Sequence, residues 1–197
     1  MNHFKLKGTL MKSNDLLLVI DMQNAYLAEA EWACLDTPGA AQRNSSIIEK
    51  NVCKEVIFTE FLADPQSTGV WQDYNQVNQK VNDDPWSNEI IDDLKPWLSQ
   101  YPLYSKSVYS SLAIPEVLAA AKRADRVVIT GVVAECCVLS TVMELIDAGI
   151  YVIYLTDGVS GLTKEKEKAT ELILSGLSPL HLSLMTTAEY LESMSEV

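Results

Sequence analysis

Along the chain, apolar residues gather in short unbroken runs instead of alternating with polar ones. Five are clear, LLLVI (16–20), EVIFT (55–59), RVVIT (126–130), YVIYLT (151–156) and LHLSLM (180–185), and PLYSKS (102–107) is a weaker sixth. A strand with one wet face alternates, whereas a run that stays apolar fits a strand covered on both faces, as in a parallel sheet. The segments between carry a helical period. IPEVLAAAKRA has Pro115 near its start and an Ala/Lys/Arg-rich body, which suits a helix. CVLSTVMELIDAG sets Val138, Val142, Leu145 and Ile146 on one stripe with Gly149 placed to end it, and TKEKEKATELILSG repeats the arrangement up to Gly176. Strand and helix in alternation build βαβ units, so the pattern predicts an α/β, three-layer, doubly wound six-stranded parallel sheet.

One stretch breaks the rhythm. From Phe61 to Trp86 the chain reads FLADPQSTGVWQDYNQVNQKVNDDPW, polar but seeded with aromatics. Long insertions in compact domains are usually functional loops, and 61–86 is read as a lid over a site or an interface between subunits. Val70, Tyr74, Val77 and Val81 would make a short amphipathic helix within it.

Composition narrows the class. With 197 residues, 48% apolar and 21% charged, the chain reads as a single domain over 1–197. Its net charge of −12 argues against nucleic acid or an anionic membrane face as a partner. No apolar run approaches the roughly 18 residues of a spanning helix. The opening, MNHFKLKGTLMKSND, lacks an apolar core like that of a signal peptide, so 1–14 is expected to be a ragged N-terminus. Four cysteines without C-x-x-C spacing suggest reduced thiols and a cytoplasmic location.

Candidate chemistry follows from where the strands end. In a doubly wound sheet, ligands bind beyond the carboxyl ends of the strands. The first run ends in Asp21, the third reaches Lys106, and the fourth leads through Gly131 to Cys137 in the first turn of the next helix. Each has a structural reading as well: a turn aspartate, a solvated lysine, a core cysteine. As a set they have complementary jobs. A helix N-terminus and an ammonium both lower a thiol's pKa, which would make Cys137 a nucleophile. Asp21 would take the thiol proton and return it to a leaving amine. Backbone N–H groups of GVVAEC would form an oxyanion hole. The pair Cys136–Cys137 also admits core filler, a redox couple or a metal fragment.

LLLVIDMQNAYL, VIFT, YSKSVYSSL and VVITGVVAECCVLSTVMELIDAGIYVIYLTDGVSG together resemble the isochorismatase-like cysteine hydrolases, which include nicotinamidases, carbamoylsarcosine hydrolases and ureidoacrylate hydrolases. The resemblance spans about 16–184. Its most specific piece is a glycine, five residues, then Cys-Val, which from Gly131 falls on Cys137 and Val138. It implies a Rossmann-like sheet ordered 3-2-1-4-5-6 and a catalytic triad of Asp21, Lys106 and Cys137. It implies also an oxyanion hole from the backbone amides of Ala134 and Cys137, and a non-proline cis peptide mapped to Val133–Ala134 that would aim those amides. Cys136, about 100° round the helix, would then point elsewhere. In that strand order Lys106 starts about 10 Å from the first strand and must cross part of the gap on its long stem.

Departures from the family pattern bear on substrate. Metal-containing members carry histidines where this chain has Glu60, Phe61 and Leu62, and its own histidines are His3 and His181. The expectation is therefore no catalytic metal and no cofactor. Isochorismatases proper cleave a vinyl ether without the cysteine, so Cys137 favours a small amide, ureido or carbamoyl C–N bond, cut through a thioester. Candidate pocket residues are Gln23, Tyr26, Phe61, Trp71 and Tyr74, with Trp32 read as packing rather than lining. Two rivals stand beside the hydrolase: a non-catalytic scaffold of the same fold, and a thiol-redox protein using Cys136 and Cys137. The expected partners are a small amide-like substrate and further copies of the chain, as homodimer or homotetramer.

Overall fold

In the computed structural model, which describes residues 13–195, each of the six apolar runs supplies a strand. The strands are β1 (Ser13–Ile20), β2 (Cys53–Phe61), β3 (Leu103–Lys106), β4 (Arg126–Val132), β5 (Val152–Ser160) and β6 (Leu182–Met185). They form one sheet in the order β3-β2-β1-β4-β5-β6, with every neighbouring pair parallel. Residues 1–12, which carry most of the expected ragged start and His3, lie outside the described residues; Ser13 and Asn14 belong to β1.

The continuous apolar runs have the anticipated cause. In β1, Leu17 and Val19 enter one core layer while Leu16, Leu18 and Ile20 enter the other. The first layer is closed by α1 (Thr37–Lys50) and α8 (Thr187–Ser193). The second is closed by α5 (Pro115–Arg123), α6 (Leu139–Asp147) and α7 (Lys164–Ser175). α6 buries Val142 and Leu145, as its stripe predicted, and Gly149 takes the positive φ of +76° just beyond it.

Outside the insertion, two helices were not anticipated. α1 hides its period behind Pro38 and Gly39 in its first turn, yet Ala40, Ala41, Asn44, Ile47 and Ile48 all face inward. Asp36 caps it by accepting from the Gly39 amide, and Asn51 closes it in the left-handed conformation. α8 starts with a capping box between Thr186 and Glu189.

The insertion folds as α2 (Val70–Val77), α3 (Gln79–Asn82) and α4 (Pro85–Asn88). The single amphipathic stripe expected there is broken. Val70 and Val77 are 79% and 84% exposed, whereas Val81, past the break at Asn78, is buried. The Asn78 side chain explains the break: it donates to the Tyr74 carbonyl and accepts from the Trp32 indole, fixing the junction.

At the end of the sheet where the strands begin, Asp15 is buried and bound by Arg126 through two hydrogen bonds, at 2.9 and 2.6 Å, and by the Tyr190 hydroxyl at 2.8 Å. At the opposite end, Ile20 pairs with Gly131, and a Cβ at Gly131 would lie 2.1 Å from the Ile20 carbonyl oxygen. Only glycine fits there, and its φ of +111° adds a second reason. That close approach brings the ends of β1 and β4 together.

Candidate active site

Asp21 follows β1 directly, in a left-handed conformation with φ of +51°. Aspartate tolerates this region better than most residues, and a non-glycine residue held there is a small store of strain. The neighbouring strand holds it. Its N–H donates to the Thr59 carbonyl, and the Thr59 hydroxyl donates to Oδ1 at 2.8 Å.

Lys106, the last residue of β3, reaches across the end of β2 and over the Phe61 ring. The gap that strand spacing implied is thus bridged by the side chain itself. Nζ donates to Asp21 Oδ2 at 2.5 Å, to the Val108 carbonyl at 3.1 Å and to Cys137 Sγ at 3.4 Å. An ammonium has three protons, and all three are used.

Cys137 lies in a wide helical turn, Ala134–Val138, between β4 and α6. The Val133 carbonyl accepts from Cys136 and from Val138, five residues on, and passes over the Cys137 amide between them. The Cys137 carbonyl is held by the Thr141 hydroxyl, which in turn accepts from the Ser111 amide. A non-proline cis peptide joins Val132 to Val133. This is one bond earlier than the Val133–Ala134 position expected, because β4 stays paired with β5 up to Val132, opposite Ser160, and the chain turns at that last rung.

Electrostatics at the sulfur differ from expectation. Burial pushes the Cys137 thiol well above its ordinary pKa and the Asp21 carboxylate pushes it further; Lys106 opposes them without prevailing. The resting group is therefore a neutral thiol, not the preformed thiolate that a helix end and an ammonium suggested. Burial pulls the Lys106 ammonium down, but Asp21 and Cys137 outweigh it and its pKa ends above the usual value. The result is a buried ion pair beside a protonated sulfur.

A cavity of about 240 Å³ opens onto that sulfur. Its walls are Tyr26, Trp32, Phe61, Tyr74 and Tyr109, with Val133 and Leu162 beside the thiols of Cys136 and Cys137 and Glu31 at the rim. Tyr26, Phe61 and Tyr74 are where the sequence reading put them. Gln23 is not in the lining: its amide is consumed by the Phe61 amide and carbonyl and by the Asn88 carbonyl, so it pins the end of β2. Trp71 also stands behind the wall, in ring contact with Phe61, Tyr74 and Tyr109. Trp32, read as packing, does line the cavity. Cys136 lines it too, since the wide turn rotates less per residue than an α-helix and leaves both thiols on one side. Sequence reasoning missed Tyr109, Glu31 and Leu162, and named Val133 for the cis peptide without seeing it as part of the lining; the strand-end rule, applied to β5, would have found Leu162. No disulfide joins any of the four cysteines.

The residues standing where metal-binding relatives have histidines do not fit a metal. Phe61 is buried in the aromatic wall, and the Glu60 carboxylate accepts from Ser105. Among the described residues no group of three or more His, Cys, Asp or Glu is placed to hold an ion.

Comparison with known proteins gives three results. The isochorismatase domain model matches residues 15–188. No curated protein matches. Solved structures with the same fold include a cysteine hydrolase from Pseudomonas syringae pv. phaseolicola, with a TM-score of 0.77, 20% identity, and coverage of 92% of this chain and 92% of that one. An isochorismatase-like hydrolase from Alkaliphilus metalliredigens gives 0.71 at 21% identity, covering 91% and 98%. A pyrazinamidase/nicotinamidase from Streptococcus mutans gives 0.66 at 18%, covering 87% and 99%.

Proposed function

Since the chain belongs to the isochorismatase family, we propose that it is a cysteine-dependent hydrolase of a small amide, ureido or carbamoyl C–N bond. One observation carries this reading: a single buried ammonium touches both the Asp21 carboxylate and the Cys137 sulfur, and that sulfur lines a cavity. The cysteine hydrolase and nicotinamidase among the fold relatives support it.

The proposed reaction starts from the neutral thiol. Asp21 takes the Cys137 proton as the sulfur attacks the substrate carbonyl, and Lys106 stabilises the anion at 3.4 Å. The developing oxyanion is received by the amides of Ala134 and Cys137. As the tetrahedral centre collapses, Asp21 returns the proton to the leaving nitrogen, and ammonia or an amine departs from a thioester. Water, deprotonated by Asp21, then attacks the thioester; the acid leaves and the thiol regains its proton. The raised thiol pKa makes proton transfer uphill on its own, so the proton passes to the adjacent carboxylate as the C–S bond forms. We propose further a cytoplasmic setting and a homo-oligomeric state.

The test is ammonia release from a panel of amides, ureides and carbamoyl amino acids, with wild type and Cys137→Ala. Loss of turnover by a factor of about 10³ or more in a variant that melts like wild type is expected for a nucleophile. Retained turnover would sink the reading.

A further inference from the structure

The hydrolase reading leaves open which end of the substrate the cavity recognises. Five aromatic rings line it, and they touch one another: Tyr26 and Trp32 at 5.7 Å between centroids, Trp32 and Phe61 at 6.2 Å, Phe61 and Tyr74 at 6.2 Å, Tyr74 and Tyr109 at 6.4 Å. A ring presents its negative face to whatever lies over it, and a cation within about 6 Å of several centroids is held by all of them. The three phenols stay uncharged, since burial raises the pKa of Tyr26, Tyr74 and Tyr109 alike.

Among the side chains that line the cavity, charge is one-sided. Glu31 stands at the rim, and among the described residues lining the cavity there is no Lys, Arg or His. Lys106 stands over the Phe61 ring, 5.6 Å from its centroid, but its charge is paired with Asp21 and its three protons are spent on Asp21, Val108 and Cys137. Lys80 pairs with Glu31 from outside; its side chain is 83% exposed, so an exchange with a bound cation costs little. A substrate carboxylate entering here would be buried without a partner, which is strongly unfavourable. The whole chain, at −12, repels anions and draws cations.

Resting on the amide-hydrolase reading, we propose that the cavity selects a compact amide whose non-reacting end is an alkylammonium cation, and rejects amides that end in a carboxylate. The rings enclose the cation, Glu31 offsets its charge, and the carbonyl is left over Cys137. This class differs from carbamoyl amino acids and ureido acids, whose carboxylates need a basic residue that this wall lacks.

A matched set decides it: trimethylammonioacetamide, its neutral tert-butyl isostere, and malonamate, which share one amide and differ in charge at the far end. The expected order of kcat/KM is cation, neutral, anion, with the cation ahead of its isostere by about tenfold or more, the scale of a desolvated cation–π contact. Glu31→Gln should narrow the cation-to-isostere ratio and Trp32→Leu should narrow it further. Equal rates for the first two amides, or malonamate as the best substrate, would overturn the proposal while leaving the hydrolase intact. If none of the three releases ammonia faster than Cys137→Ala, the hydrolase reading is what fails for this class, and binding then judges the cage. Calorimetry of tetramethylammonium with Cys137→Ala should show millimolar binding, absent for tert-butanol and weakened by Trp32→Leu; no binding rejects the cage as well.

Discussion

Asp21 and Lys106 form an ion pair with side chains 0% and 1% exposed. Two charges taken out of water are tolerable only as a pair, so removing one partner strands the other. Lys106→Met should therefore destabilise the protein by about 3–5 kcal/mol in chemical denaturation, a cost far above that of a surface lysine. Adding Asp21→Leu to it should recover much of the loss, because the stranded carboxylate goes too; both variants should be inactive. A stability change under about 1 kcal/mol in the single variant would mean that solvent reaches the pair. At this scale the sequence was readable where the strand-end rule and the family spacing met, at Asp21, Lys106 and Cys137. Thr59, whose hydroxyl and carbonyl hold Asp21, was not, because a threonine inside an apolar strand run carries no mark of what it faces across the sheet. Glu31 and Tyr109 come from loops, whose direction is set by tertiary packing rather than by any local period.

Elements place those residues, and the tightest junction is between β1 and β4. Gly131→Ala would push a methyl against the Ile20 backbone, and no rotamer change relieves a clash with main chain. We expect it to cost about 3 kcal/mol or more, combining overpacking with a disfavoured φ, read as a lower melting temperature together with lost activity. Gly149→Ala makes the comparison: it also has positive φ, but nothing lies within 4 Å of the added carbon, so its cost should be limited to about 1 kcal/mol of backbone strain. Equal effects from the two would show that packing at the junction is looser than described. Strands were legible because burial on both faces makes a run apolar at every position. α1 was not, since Pro38 and Gly39 read as a turn when they in fact open a helix capped by Asp36. The α2–α3 stripe was misread for the opposite reason: the period was present in the sequence, but the break at Asn78 sends Val70 and Val77 outward and Val81 inward.

Seen whole, the described residues hold two charge clusters at opposite ends of the sheet. Asp15, Arg126 and Tyr190 occupy the end where the strands start, and Asp21, Lys106 and Cys137 the end where they finish. The second cluster draws on three strands that are not all neighbours, and one of them, β3, is an edge strand of four residues bonded on a single side. Such edges open locally at free energies well below that of global unfolding. Warming should thus detach Lys106 before the central sheet yields. Activity measured on a temperature ramp should fall, and return on cooling, several degrees below the calorimetric transition, whereas coincidence of the two curves would show that β3 is as firmly held as the middle of the sheet. The working ceiling of this protein is then a property of its outermost strand, and thermostability gained by repacking the interior would leave that ceiling where it is.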